Sequence, residues 1–252
     1  MFDLKGRVAV VTGASSGLGK QMAKALAQQG ADVAVLARRV EKLEDLAKEL
    51  TEMGVKSLAV ECDVMDLESI KSAKDKVMEK FGKVDILINS AGGNKGGLIK
   101  DMDNDDWNFT VDLDLNSIFR VTKEFVQPML EAKYGRIINI ASMYGLLGTN
   151  QGAAAYHAAK GGVVNFTRAA AAEFAPHGVT CNSICPGFFN TELTEASIET
   201  DDFKQYMSFS VPMGRAGHEG ELNAGAVFLA SDEASYVTGV NLPIDGGWSS
   251  SK

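Results

Sequence analysis

A single-domain α/β fold, with a doubly wound parallel sheet of about seven strands and helices on both faces, is what this 252-residue sequence predicts. Three observations carry the prediction. Short β-branched runs alternate with longer amphipathic segments along the whole chain, and such β-α alternation builds a parallel sheet covered on both faces. Glycines stand where the amphipathic segments should stop. Other glycine-rich stretches follow the apolar runs, at the strand ends where a parallel sheet takes its ligands. No Pro- or Ser-rich linker breaks the pattern, and about 250 residues is an ordinary length for one such domain.

Val8-Ala9-Val10-Val11 is the heart of a first strand near 7–11. The turn Thr12-Gly13-Ala14-Ser15-Ser16-Gly17-Leu18-Gly19 follows. Met22, Ala25 and Leu26 then recur at helical spacing, which gives a helix near 17–29. The same reading places further strands near 32–36, 56–60, 84–88, 135–140, 178–184 and 239–244. Helices are expected between them, near 40–53, 66–81, 105–132, 154–175 and 219–231. Gly30, Gly54, Gly82, Gly135 and Gly178 are read as glycines that close helices.

Composition narrows the function classes. The chain is 45% hydrophobic and 23% charged, with a net charge of −8. That balance argues against nucleic acid or an anionic membrane as a partner. No apolar run approaches the roughly 18 residues of a membrane span, and no signal segment is apparent, so a cytoplasmic location is expected. Cys62, Cys181 and Cys185 are an odd number in apolar contexts, as buried free thiols of a reducing compartment would be. Cys181-x-x-x-Cys185 lacks zinc-knuckle spacing and His157, His177 and His218 are scattered, so no metal is expected.

Two motifs carry chemistry. Strand, glycine turn and helix at 8–26 form a Rossmann-like phosphate cradle: glycines let backbone approach a pyrophosphate, and the helix N-terminus offers free N–H groups. The spacing is G-x-x-x-G-x-G rather than the usual G-x-G-x-x-G. A nucleotide-triphosphate loop needs four residues before Gly-Lys, then Ser or Thr. Five residues separate Gly13 from Gly19-Lys20, and Gln21 follows, so that alternative fails. The second motif is Tyr156-His157-Ala158-Ala159-Lys160, with Ser142 fourteen residues upstream. Positions i and i+4 share a helix face. A cation there favours phenolate and lowers the tyrosine pKa from about 10, which suits proton exchange with a carbonyl or alcohol oxygen. By itself the pair is weak, because two residues at helical spacing often meet by chance.

Together the motifs resemble those of the short-chain dehydrogenase/reductase family, over essentially the whole chain. Cys62-Asp63-Val64, Asn89-Ser90-Ala91-Gly92, Pro186-Gly187 with Thr191, and Asp245-Gly246-Gly247 add to the resemblance in order and interval. It implies an NAD(P)-dependent enzyme acting on a secondary alcohol or ketone. Ser142 would hold the substrate oxygen, Tyr156 exchange the proton, and Lys160 bind the nicotinamide ribose. Gly13, Ser15, Ser16, Gly17, Leu18 and Gly19 would cradle the pyrophosphate. Asp63 and Val64 would meet the adenine, and Asn89, Ala91 and Gly92 would line the nucleotide. Pro186 and Gly187 would touch the cofactor, and Thr191 would bond the nicotinamide amide or the pyrophosphate.

Two positions depart from the family pattern. Ala37 stands where NAD users commonly carry Asp, and Arg38 and Arg39 follow. Arg38 offers a planar fork for a 2′-phosphate, so NADP(H) is preferred and NAD(H) remains possible. Asp114, seven residues after Trp107, replaces the Asn that positions a water beside the lysine. Asn116 cannot substitute, since two helical residues turn a side chain by roughly 200°. Asp114 is expected to keep the relay and to alter the pH optimum. A crippled site, and with it a non-catalytic NADP-binding sensor, is the opposite reading.

Substrate choice should lie in Met143-Tyr144-Gly145-Leu146-Leu147-Gly148 and in a lid at about 188–215 that includes Phe188, Met207, Phe209 and Met213. Within the family the chain looks most like gluconate 5-dehydrogenases, so a sugar acid or keto-sugar is expected. Alternatives are 3-oxoacyl-(acyl-carrier-protein) reductase and hydroxysteroid dehydrogenase. The former needs a basic patch, of which Lys133, Arg136 and His177 offer a thin one. The resemblance also implies a homotetramer, through the helices near 105–132 and 154–175, with Leu113, Phe119, Phe166 and Ala169–Ala172 as a seam. Trp248 could then cover a neighbouring subunit's site.

Overall fold

The computed structural model describes residues 1–192, 194 and 198–251. Seven strands form one sheet: β1 (Val8–Thr12), β2 (Asp32–Ala37), β3 (Ser57–Glu61), β4 (Ile86–Asn89), β5 (Gly135–Ile140), β6 (Val179–Pro186) and β7 (Asn241–Ile244). Their order is β3-β2-β1-β4-β5-β6-β7, and every pairing is parallel. Chain order reverses between β1 and β4, so the crevice at their carboxyl ends is the expected ligand position.

Strand periodicity explains the two-sided core. Val11, Val35, Ile88 and Ile138 face α1 (Gly17–Gln28), α2 (Val40–Glu52) and the helix at Asn223–Ala230. Val10, Leu36, Leu87 and Ile137 face α3 (Leu67–Phe81) and α5 (Ser117–Ala132), through Ile70, Val77 and Phe125. Adjacent strand residues point to opposite faces, so both sets are apolar and the strands read as continuous apolar runs. Cys62, Cys181 and Cys185 are buried and free; burial pushes the first two thiols up to about 11 and about 12.

Three local readings change. The helix expected over 105–132 is interrupted: α4 (Asn104–Val111) passes through a π-helical turn, Asp112–Asn116, before α5. Gly135 closes no helix. Lys133, at φ +53°, ends α5, and Gly135 opens β5 where a Cβ would lie 2.8 Å from Met129 and 2.9 Å from Val179. The proposed lid contains a helix, α7 (Asp201–Ser210), which follows α6 (Ala154–Phe174). Thr200 caps α7 by accepting the Phe203 N–H at 3.3 Å. The helix at Asn223–Ala230 is therefore α8. Positions 193 and 195–197 of that lid lie outside the described residues.

Candidate active site

A cleft of about 850 Å³ runs along the carboxyl ends of the strands. Its floor is the turn after β1. Gly13 sits at φ +66°, and a Cβ on it would come within 2.7 Å of the Ala91 backbone; one on Gly19 would meet the Gly13 carbonyl at 2.5 Å. Neither position can carry a side chain without displacing backbone. Thr12 ties this turn to the one after β4, its hydroxyl accepting the N–H groups of Ser90 at 3.0 Å and Ala91 at 3.2 Å. Gly13, Ser15, Ser16, Gly17, Leu18 and Gly19 all line the cleft, as do Ala91 and Gly92. Asn89 does not. Its amide is buried and donates to Thr122 at 3.1 Å and Asn139 at 2.9 Å, so it braces β4 against β5 from below.

At one end of the cleft Asp63 and Val64 line the wall. Asp63 spends one oxygen on its own turn, accepting the Met65 N–H at 3.0 Å. Arg38 and Arg39 both border the cleft, but the guanidinium that reaches across it belongs to Arg39. It donates to Ser15 Oγ at 3.0 Å and Ser16 Oγ at 2.7 Å. Sequence alone placed that role on Arg38. Glu192, which sequence reasoning missed, meets Arg39 at 2.9 Å and Lys42 at 2.6 Å. Thr191 lies beside Gly17, and Pro186 and Gly187 line the same side.

The opposite end holds the titratable cluster. Ser142 follows β5 by two residues and caps the short helical turn at Met143–Gly145, its Oγ accepting the Tyr144 N–H at 3.1 Å. It also acts on Tyr156, which α6 supplies, and pulls that phenol's pKa down. One turn along α6, Lys160 is buried; Nζ donates to the Ile140 carbonyl at 3.0 Å and lies 5.5 Å from the Tyr156 ring centre. Gly145 makes this approach possible, since a Cβ there would meet the Lys160 carbonyl at 2.6 Å.

Asp114 completes the cluster. It is 0% exposed, 2.9 Å from Lys160 Nζ, and accepts the Gly93 N–H at 3.3 Å. The π turn delivers it there, and π turns recur at functional sites. Asn116 points away and donates to Asp112 at 3.0 Å. Charge placement corrects the sequence-based view of Tyr156. Burial pushes the phenol above its ordinary value; Lys160 and the Ser142 hydroxyl pull it down, but the Asp114 carboxylate pushes it up. Lys160 is itself held above the usual ammonium value: burial pulls it down, and Asp114, Tyr156 and Cys185 together outweigh that. The net direction for Tyr156 is upward, because burial outweighs the pull of Lys160 and Asp114 adds to the upward push.

Beyond Tyr156 the wall is aromatic. Tyr144 stacks on His157 at 4.6 Å and stands edge-on to Tyr156 and Phe188, each at 6.2 Å. His157 is fixed by Thr149 at 3.2 Å and the Ala153 carbonyl at 2.7 Å. Phe203 and Tyr206 of α7 pack against Phe188. Trp248 is 1% exposed and packs with Met143, Met207 and Val211 of its own chain, so it does not reach outward to cover another subunit. Ala170 and Ala171 are likewise buried in their own core, which leaves Phe119, 52% exposed, as the large apolar group of the proposed seam. Among the described residues no group of three or more His, Cys, Asp or Glu is placed to hold a metal, and no helix is long and apolar enough to cross a membrane.

Comparison with known proteins finds relatives over nearly the whole chain. A family model described as enoyl-(acyl carrier protein) reductase matches residues 13–249. The 3-oxoacyl-(acyl-carrier-protein) reductase FabG of Salmonella typhimurium is 39% identical over 247 residues, 98% of each chain. Gluconate 5-dehydrogenase from Burkholderia cenocepacia, solved with NADP and tartrate, superposes with a TM-score of 0.94 at 33% identity, over 99% of this chain and 97% of that one. An actinorhodin polyketide ketoreductase solved with NADPH gives 0.90 at 37% identity, over 96% and 97%.

Proposed function

The chain belongs to the short-chain dehydrogenase/reductase family and is a nicotinamide-dependent oxidoreductase; from that premise we propose that it reduces a ketone, or oxidises the matching secondary alcohol, with NADP(H). The observation that carries this reading is the meeting of Ser142, Tyr156 and Lys160 at the closed end of a cleft whose other end presents Ser15, Ser16 and Arg39. Gly13 and Gly19 have no room for a Cβ against their own backbone neighbours, and the bare turn they leave in the cleft suits a dinucleotide pyrophosphate. The Arg39 fork with two hydroxyls suits a 2′-phosphate. Bound nicotinamide supplies the hydride, or accepts it.

This chain's residues then handle the oxygen. Ser142 and the Tyr156 hydroxyl donate to the carbonyl oxygen as negative charge develops on it, and Tyr156 passes its proton. Lys160 offsets the charge left on the phenolate. Asp114 holds Lys160 in place and disfavours that phenolate, which leaves Tyr156 protonated and suited to reduction. Segment 188–215 is the proposed lid, with Phe203, Tyr206 and Met207 on its inner side.

For substrate class, the lining beyond Tyr156 offers aromatic faces and neutral polar groups such as Asn94, while its cations are Arg38, Arg39 and Lys160 of the cofactor side. That favours a hydroxyl-bearing keto-sugar over its carboxylate. A second reading, a 3-oxoacyl thioester, is favoured by the 39% identity to FabG. The basic patch it needs is thinner than its sequence suggested, since Arg136 is buried against the Ser231 carbonyl at 3.1 Å.

The test is oxidation of NADPH and NADH at 340 nm against keto-sugars, 5-ketogluconate, an acetoacetyl thioester and 3-, 7- and 12-keto steroids. Keto-sugar turnover with NADPH preferred is expected. Turnover of the thioester alone would overturn the substrate reading, and silence with cofactor still bound would bring the sensor reading forward. Arg39→Ala should raise KM for NADPH about ten- to a hundredfold, as for the loss of a charged hydrogen bond, and leave NADH nearly unchanged. Equal effects on both coenzymes would remove Arg39 from the 2′-phosphate site.

A further inference from the structure

Glu192 occupies a position that the reaction described above does not use. Its two carboxylate oxygens are divided between Arg39 Nη2 at 2.9 Å and Lys42 Nζ at 2.6 Å. The same Arg39 nitrogen donates to Ser15 and Ser16. Two cations and two hydroxyls gathered at one point form a donor set suited to a phosphate dianion, and a carboxylate from the chain itself now engages it. We propose that Glu192 is a built-in competitor for the coenzyme's 2′-phosphate, and that it sets how strongly this enzyme prefers NADP(H) over NAD(H). The inference rests on the assignment of Arg39 to the 2′-phosphate.

Three features make Glu192 a competitor rather than a structural tie. It is 47% exposed, and Arg39 and Lys42 are each 48% exposed, so the pairs are solvent-screened and can be exchanged. The two cations and a bond to Ser16 hold its carboxyl down to about 2, so it stays charged wherever the enzyme works. It follows Thr191, which lies against Gly17 of the phosphate turn, so the chain delivers the carboxylate to the edge of the cradle. A 2′-phosphate engaging Arg39 must part it from Glu192. A ribose bearing only hydroxyls need not, so NADH binds without that cost. The competitor thus narrows a preference that the cations alone would make wider.

The experiment measures binding of adenosine 2′,5′-bisphosphate and adenosine 5′-monophosphate by calorimetry, on wild type, Glu192→Gln, Glu192→Lys and Arg39→Ala. Exposed pairs of this kind correspond to roughly two- to fivefold in affinity. Glu192→Gln should therefore tighten the bisphosphate by about that factor and leave the monophosphate unchanged. Glu192→Lys should tighten it further, and both gains should shrink in high salt. An unchanged bisphosphate affinity in Glu192→Gln, with the preference still lost in Arg39→Ala, would overturn the competitor alone. Weaker monophosphate binding in Glu192→Gln would overturn it too, making Glu192 a ribose ligand. No bisphosphate preference in any form, Arg39→Ala included, would overturn the 2′-phosphate assignment beneath it.

Discussion

Lys160→Met is expected to lower the free energy of unfolding by about 3–5 kcal/mol, the usual result of removing one partner from a buried ion pair. Asp114 is 0% exposed, and its polar contacts are Lys160 Nζ at 2.9 Å and the Gly93 N–H at 3.3 Å. Without the ammonium, a carboxylate stays buried on one long hydrogen bond. Methionine keeps the volume of the lysine stem, so the loss reports charge rather than a cavity. The double variant Lys160→Met/Asp114→Asn should recover most of the stability, because the orphaned charge is gone while the amide can still accept from Gly93. Asp114→Asn alone should cost less than Lys160→Met, since Lys160 keeps the Ile140 carbonyl at 3.0 Å and borders the cleft. Urea titrations of the four proteins give the coupling directly. A loss below about 1 kcal/mol for Lys160→Met, the range of an exposed pair, would show that Asp114 does not depend on Lys160.

The sequence made this cluster partly visible. Tyr156 and Lys160 stand out because four residues make one helical turn, and Ser142 because a hydroxyl ends an apolar strand. The parallel sheet and both core faces follow from alternation, since parallel strands covered on both sides must be apolar throughout. Other features leave no local mark. The π turn at Asp112–Asn116 adds one residue to a helix without changing its composition, so 105–132 reads as continuous. Arg38 and Arg39 are adjacent, and which one crosses the cleft depends on how the chain turns from β2 into α2. Glu192 carries no signal of its own, because its partner Lys42 is 150 residues away. Asn89 misleads for the reverse reason: it sits in a glycine-flanked motif but faces Thr122 and Asn139. Helix α7 could have been read from Thr200-Asp201-Asp202, a cap followed by acidic residues in the first turn, had the lid not been treated as loop.

Tyr156→Phe is expected to reduce kcat by about 10²–10⁴-fold, the usual contribution of a positioned proton donor, and to remove the pH limb that the phenol sets. The sign of that limb follows from the two directions of reaction. Reduction needs the protonated phenol, so its rate falls as pH rises through the Tyr156 pKa. Oxidation needs the phenolate, so its rate falls as pH drops through the same value. Burial and Asp114 both push that value up, which extends reduction into alkaline solution and confines oxidation there. Asp114→Asn removes one upward push, and both limbs should move to lower pH. Ser142→Ala removes a hydroxyl that pulls the phenol down, so both limbs should move to higher pH, with kcat lowered as well. Profiles of kcat/KM against pH in both directions read these shifts. A profile unmoved by Asp114→Asn would sink the role given to the carboxylate. A limb that persists in Tyr156→Phe would assign the proton to another group. Opposite shifts from two neighbours of one phenol are hard to obtain unless that phenol is the group that titrates.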